Sequence, residues 1–386
     1  MINYGRHFIS KDDINLINKV IRSNFLTQGP FVNLFENKLS SFFKSRFCST
    51  VSNGTAALYL SGKVLNWKPN DIILTTPITF VATANAIVLN GSIPDFVDIN
   101  LNNYSLDLNK LEDKIKNYKK KNKRIKTVIV VDYGGQPSDW SSIKKLADKY
   151  QFSTINDNCH SIGSKYKNDI GYAAKYADLV THSYHPVKNI TTGEGGAILT
   201  NNKDYYKKIS ILKNHGLEKK NLLKSSSWKF SLSDVSHNFR LSDISCALGF
   251  SQLKQLNKFI KRRREISNLY NKLFLNNHNI ITPPINKDCY NSYHLYPIRI
   301  KTNNLRNIKK NIVSRLNNSN FFPQIHYFPV YLQPFYKKNF LFKKGYCPVA
   351  ESFFFEELSL PIYYGLKNND IYEVANIINT FQFQKN

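Results

Sequence analysis

The chain has 386 residues, 42% hydrophobic and 13% aromatic, which is enough apolar material for a substantial core and roughly two domains. Its 54 Lys and Arg against 27 Asp and Glu leave a formal charge of +27, a balance suited to nucleic acid or to small anions drawn in by the field. No window reaches the roughly 18 apolar residues of a membrane span, and the start, Met1 to Arg6, leads into a polar segment without a signal-peptide core.

Residues 1 to 30 read as an entry arm. Ser10 ahead of Lys11, Asp12 and Asp13 is a helix-start signal, followed by Ile14, Ile17 and Ile21 at helical spacing, and the helix ends in the turn Phe25 to Pro30. A second amphipathic segment, Phe31 to Phe43, carries Leu34, Phe35, Leu39 and Phe42 on one side. From residue 47 the pattern becomes strand, turn, helix, repeated. Short apolar runs fall at Cys48 to Val51, Ile72 to Thr75, Ile93 to Ile99, Thr127 to Val131, Phe152 to Ile155, Leu179 to Ser183 and Ala197 to Leu199. Helical patterns cover Thr55 to Leu65, Ile78 to Leu89, Leu108 to Tyr118 and Trp140 to Tyr150. This alternation predicts an α/β fold with a mostly parallel seven-stranded sheet, covered on both faces and binding ligands beyond the carboxyl ends of its strands. After residue 200 a long helix, Arg240 to Phe274, leads to a small C-terminal α/β domain with a strand near His294 to Ile300 and helices near Leu305 to Asn317 and Asp370 to Phe381. The expected division is 1–250 for a large domain with its arm and 251–386 for the small one.

Four features converge on the expected strand ends. Between two apolar runs, the segment HPVKNITTGEGG sets Lys188 on a tight loop with Gly193, Gly195 and Gly196 behind it. A lysine aimed by such a loop, with its pKa lowered by a pocket wall, is a candidate Schiff-base amine. Ser52-Asn53-Gly54-Thr55 closes a strand and opens a helix, so the free N–H groups, Gly54 and the Thr55 hydroxyl can cradle a phosphate, and Ser183 can add a further contact. An ordinary small-residue N-cap would look the same. Asp157 sits just past a strand, where a carboxylate pairs with a protonated pyridine nitrogen, and Phe80 opens a helix, where its ring can stack on a flat one. Together these are the parts of a pyridoxal phosphate site.

The segments SNGTAAL, TTPITFVATANAI, VDYGGQP, NDNCHSIGS, HSYHPVKNITTGEGGAILTN, HNFRLSDISCALGFSQL and QIHYFPVY resemble the DegT/DnrJ/EryC1/StrS sugar aminotransferases, from residue 4 to about 365. The resemblance implies a pyridoxal-5′-phosphate-dependent fold-type I aminotransferase, a homodimer with active sites shared at the interface, cycling through pyridoxamine 5′-phosphate. By motif match Lys188 is the Schiff-base lysine, Asp157 the partner of the ring nitrogen, Phe80 the stacking ring, and His160 the neighbour of the phenolic oxygen. Gly54, Thr55 and Ser183 would hold the phosphate, with Asn238 reaching it from the other subunit. Tyr4, the turn Asn24, Phe25, Leu26 and Thr27, and the run Gln324, Ile325, His326 and Tyr327 would contact the nucleotide sugar. The implied reaction moves an amino group from L-glutamate to C4 of a 4-keto-6-deoxy UDP-N-acetyl-hexose, in the branch serving pseudaminic acid synthesis. His160, where many members carry Gln, favours that branch. The alternatives are perosamine-type or bacillosamine-precursor 4-amination, or 3-amination.

Other patterns carry less. The densest basic runs, Lys119 to Lys126 and Lys261 to Arg264, sit beside or within expected helices, where charge runs are usually solvated, so no nucleic-acid partner is expected. Heavy use of Lys, Asn and Ile throughout matches an A/T-rich coding bias. His182 and His185 share no face well and lack completing ligands, so no metal is expected. Five scattered cysteines without a CxxC read as reduced thiols in a cytoplasm.

Overall fold

The computed structural model describes residues 1–218 and 231–383. All seven apolar runs become strands of one sheet: Phe47–Val51, Ile72–Thr75, Ile93–Phe96, Ile125–Val131, Ser153–Asp157, Leu179–Ser183 and Gly196–Thr200. Across the sheet they lie in the order first, seventh, sixth, fifth, fourth, second, third. Gly196–Thr200 runs antiparallel to both neighbours, and every other adjacent pair is parallel. The exception has a local cause. A parallel return needs a long crossover, usually a helix, but the chain between Ser183 and Gly196 forms only the loop that carries Lys188.

Successive side chains on a strand point to opposite faces, and here both faces are covered. Val128, Val130, Val180, Ala197 and Leu199 enter one core, while Ile129, Leu179 and Ile198 enter the other. Helices Gly54–Val64, Val81–Leu89, Leu108–Lys120 and Trp140–Tyr150 follow the pattern read from sequence, and one of these helices and one strand depart from it by more than two residues. The second begins at Val81, not Ile78, because Phe80 is its extended N-cap at φ −62°, ψ 142°. The third strand ends at Phe96, and Ile99 instead forms an isolated bridge with Leu106.

The long helix runs Asp243–Leu273, 31 residues, with Ser242 as its N-cap accepting the Ser245 N–H. Leu253, Leu256, Phe259 and Ile260 feed the large core, and Ile266, Tyr270 and Phe274 feed a C-terminal one. The expected division at 250/251 falls inside this helix. The C-terminal part holds an antiparallel sheet of Ile280–Ile281, Tyr296–Ile300 and Glu357–Leu360, packed by helices Leu305–Asn318 and Asn368–Asn379. The entry arm returns to it: Ile2–Asn3 pairs in parallel with Phe321–Phe322.

The basic run 261–264 is not simply a solvated face. Arg263 is buried and its Nη1 donates to the carbonyls of Tyr293, His294 and Ile362, tying the long helix to the small domain. Among the described residues no helix is long and apolar enough to cross a membrane.

Candidate active site

The site forms where three parallel strands end side by side. Asp157 closes its strand in register with Val131 and Thr181. Thr83 Oγ1, from the first turn of Val81–Leu89, donates to Asp157 Oδ2 at 2.7 Å, and the Cys159 N–H donates to Oδ1 at 3.3 Å. Beneath lies a second buried carboxyl. Asp132 accepts from Ser138 N (2.8 Å), Trp140 Nε1 (3.0 Å), Asn156 Nδ2 (3.1 Å), Asn158 Nδ2 (3.2 Å) and the Tyr172 hydroxyl (2.7 Å). Two of those donors flank Asp157, so Asp132 holds the backbone that presents it. Burial pushes the Asp132 carboxyl up, and its donors pull it back.

Lys188 stands on the loop after Leu179–Ser183, with its Nζ 3.5 Å from His294 Nε2. Burial pushes its amine below the usual lysine range, and Cys159 and Asp157 pull it back. A neutral amine is the reactive form. His160 is buried beside it, accepting the Gly134 N–H at Nδ1 (3.3 Å) and meeting the Tyr327 hydroxyl at Nε2 (3.1 Å). Burial, then the Lys188 charge, drives the His160 imidazole well below its usual pKa. A neutral ring that accepts at Nδ1 carries its proton on Nε2, so His160 donates to Tyr327. The His160 and His294 rings lie 4.5 Å apart.

Residues 52–55 close a strand and open the helix Gly54–Val64, as the sequence suggested. Asn53 caps the helix, its Oδ1 accepting Ala56 N at 2.8 Å and its carbonyl accepting Ala57 N at 3.1 Å, which leaves Gly54 and Thr55 N–H as the free first-turn donors. A Cβ on Gly54 would lie 2.8 Å from Ser183 Cβ, so the serine and the helix start are in contact. Thr55 is exposed. Gly196 is required by close approach: a Cβ there would sit 2.6 Å from the Asn53 carbonyl. Gly193 turns the loop with φ +79°. Phe80 is 57% exposed, its ring 6.2 Å from that of Tyr327.

The entry arm brings Tyr4 against His326, ring centroids 4.8 Å apart, so the arm and the 324–327 run converge on the Lys188 cleft. Gln324 and Ile325 lie exposed at its edge, Gln324 pairing through its backbone with Ser359. Two expected groups do not join them within one chain. The turn Asn24 to Thr27 is exposed and rests on the start of the long helix, with Leu26 O accepting Asp243 N at 2.9 Å. Asn238 is exposed, its Oδ1 accepting Arg240 N at 3.2 Å. Among the described residues neither makes a hydrogen bond or ring contact to Lys188, Asp157 or His160. His182 is buried against Phe43 and Tyr184 while His185 is exposed, so the two histidines part company.

Sequence reasoning missed Thr83, Asp132 and His294. His294 read only as the start of a strand, and it reaches Lys188 across 106 residues of chain. An unexplained histidine entering an apolar strand is the one sequence signal it left.

The donor set fits a pyridoxal phosphate: free N–H groups and two hydroxyls for a dianion, a carboxylate for a ring nitrogen, an exposed aromatic face, and a half-buried amine lowered by desolvation. The DegT/DnrJ/EryC1/StrS aminotransferase family model matches residues 7–379. The chain is 36% identical over 370 residues to the UDP-4-amino-4,6-dideoxy-N-acetyl-beta-L-altrosamine transaminase of Campylobacter jejuni, covering 96% of this chain and 94% of that one. Among solved structures it is similar to Helicobacter pylori PseC, an aminotransferase involved in the biosynthesis of pseudoaminic acid, at TM-score 0.90 and 31% identity over 98% of both chains. It is also similar to the putative sugar aminotransferase Spr1654 of Streptococcus pneumoniae in its PMP form, at TM-score 0.90 and 26% identity over 98% of both chains.

Proposed function

The chain belongs to the DegT/DnrJ/EryC1/StrS aminotransferase family, and from that premise we propose that it aminates C4 of a 4-keto-6-deoxy UDP-N-acetyl-hexose with L-glutamate as donor, in the pseudaminic acid branch. The observation that carries this reading is the half-buried Lys188, its amine lowered by desolvation, beside Asp157 and His160 at strand ends next to a helix start whose Gly54 and Thr55 N–H groups are free. The similarity to the altrosamine transaminase supports the choice of sugar.

Pyridoxal phosphate, when bound, supplies a carbonyl carbon that carries the amino group between substrates and a ring that withdraws electrons. Gly54 and Thr55 N–H with the Thr55 and Ser183 hydroxyls would hold its phosphate. Asp157, held by Thr83, would pair with its ring nitrogen, and Phe80 would cover one face. Lys188 Nζ is the group placed to accept a proton from the amino-bearing carbon and to return one at the sugar carbon. His160 orients Tyr327 at the mouth, and Tyr4, His326 and Tyr327 exclude water from the sugar side. We propose further that the protein works as a homodimer in the cytoplasm. Asn238 and the turn Asn24 to Thr27 would complete the partner's site, since they stand exposed and clear of their own Lys188. All five cysteines are free, as a reducing compartment allows.

The test is a panel of 4-keto UDP- and GDP-sugars with their 3-keto counterparts and mass detection of the amine, run beside Lys188→Ala. Amination of the UDP-N-acetyl sugar, lost in the variant, is the expected result. Preference for a GDP sugar or a 3-keto sugar would overturn the choice of substrate. Mixing inactive Lys188→Ala with inactive Asn238→Ala should restore about one quarter of the activity through hybrid dimers. No recovery would refute the shared site.

A further inference from the structure

Behind the cleft, hydrogen bonds run from a fully buried carboxyl to a ring that borders the site. Glu357 and Ser359 lie two apart on the strand Glu357–Leu360, so their side chains share a face. Ser359 Oγ meets Glu357 Oε1 at 2.5 Å and His326 Nδ1 at 2.9 Å, while Glu357 Oε2 accepts the His326 backbone N–H at 2.8 Å. The His326 carbonyl in turn accepts from the Tyr133 hydroxyl at 2.6 Å, which pins the backbone on its other side. All three side chains are buried. His326 Nε2 is the nitrogen left without a protein partner among the described residues, next to the rings of Tyr4 and Tyr327.

We propose that Glu357, acting through Ser359, decides which nitrogen of His326 carries the ring proton, and so whether Nε2 meets a ligand in the cleft as a donor or as an acceptor. The reasoning is a count of protons. A serine hydroxyl has one proton to give. With Glu357 ionised, Ser359 must donate to it, so the serine lone pair receives Nδ1–H and Nε2 is bare. With Glu357 protonated on Oε1, that proton goes to Ser359, the serine proton goes to Nδ1, and Nε2 carries the N–H. Burial, with Lys188, drives the imidazole down to about 3, so only one ring proton is present near neutral pH. Burial pushes Glu357 up to about 8, which brings both states within reach.

The surrounding charges act on the balance without closing it. Lys309, from the helix Leu305–Asn318, favours the carboxylate but is spent on the carbonyls of Phe354 and Phe355, and burial pushes it down to about 8. Arg299, opposite Glu357 in the strand ladder, pairs with Glu356 instead. Tyr104, Tyr133 and Tyr327 are all raised by burial and stay neutral. Glu357 and Ser359 are positioning residues, acting on a ligand only through His326. The consequence for chemistry rests on the nucleotide-sugar reading: a keto oxygen accepts only and prefers Nε2–H, whereas an amine or hydroxyl can donate to a bare Nε2.

The test uses cofactor-free protein labelled with ¹³C,¹⁵N-histidine, with the His326 signals identified by their loss in His326→Asn. Titration from about pH 6 to about pH 9.5 should convert them from the Nε2–H to the Nδ1–H pattern. Glu357→Gln, whose amide donates to Ser359 and cannot ionise, should hold the Nε2–H pattern throughout, and Ser359→Ala should remove the pH response. One tautomer at every pH in the wild type, or a switch that persists in Glu357→Gln, overturns the proposal. Circular dichroism checks that each variant is folded, and Ser359→Ala alone suffices if the glutamine variant is not. In the active enzyme, KM for the keto sugar should rise with pH in the wild type and stay flat in Glu357→Gln. A tautomer switch without that KM change would refute the sugar contact and leave the relay standing.

Discussion

Replacing Thr83 with valine removes one hydroxyl and keeps the side-chain shape. In the wild type that hydroxyl donates to Asp157 Oδ2 at 2.7 Å and meets Thr79 Oγ1 at 2.8 Å, with Thr83 and Asp157 only 1% and 5% exposed. A hydrogen bond to a charged acceptor in such a place contributes about 1.5–3 kcal/mol. Without it, Asp157 keeps one donor among the described residues, the Cys159 N–H at 3.3 Å, and its carboxylate is free to turn from the ring nitrogen it should face. At about 1.4 kcal/mol per tenfold, cofactor affinity and kcat/KM should each fall about 10- to 150-fold, while the thermal midpoint of the cofactor-free protein moves little. The assay is a visible-absorbance titration with pyridoxal phosphate, paired with steady-state kinetics, on wild type, Thr83→Val and Thr83→Ser. The serine variant keeps the donor and should stay within about threefold of wild type. Wild-type affinity and turnover in Thr83→Val, or equal damage in Thr83→Ser, would refute the claim that this hydroxyl holds Asp157.

Asp132→Asn should destabilise the protein by about 2–4 kcal/mol, because its new NH₂ faces the Asn156, Asn158 and Tyr172 donors. An unchanged urea midpoint with unchanged cofactor affinity would show that the network is dispensable. Gly196→Ala forces the Asn53 carbonyl to shift, a strain of about 1–3 kcal/mol, and cofactor binding should weaken at least about tenfold. A tight-binding alanine variant would argue against the cradle. Acid should be unusually damaging. His182 and His326 are held by burial down to about 3, so below the unfolded value of about 6.5 the unfolded chain takes up protons that the folded one refuses. Stability is therefore fully present above that value and falls by about 1.4 kcal/mol per pH unit for each histidine as pH drops toward 3. His160 and His294, driven the same way, add to the loss. A melting temperature flat from neutral pH down to about pH 5 would contradict this.

Local pattern carried much of this protein. The seven strands, the helices between them and the long helix from Asp243 were legible because apolar periodicity is a property of neighbours in the chain. Lys188, Asp157 and the Gly54–Thr55 turn were legible for the same reason: each sits where a strand pattern stops, and strand ends are where such sheets bind ligands. What could not be read was anything set by partners far apart in sequence. Thr83 holds Asp157 across 74 residues, His294 meets Lys188 across 106, and Glu357 reaches His326 across 31, through a strand whose own pattern says only that it is buried. Arg263 looked like one more solvated charge until the small domain supplied three carbonyls for its guanidinium. The antiparallel seventh strand differs from these: its direction follows from the short connection between Ser183 and Gly196, which is local, although the apolar run itself does not show it. Periodicity is a one-dimensional quantity, whereas the desolvation that lowers the Lys188 amine and raises the Glu357 carboxyl exists only once distant segments have excluded water together.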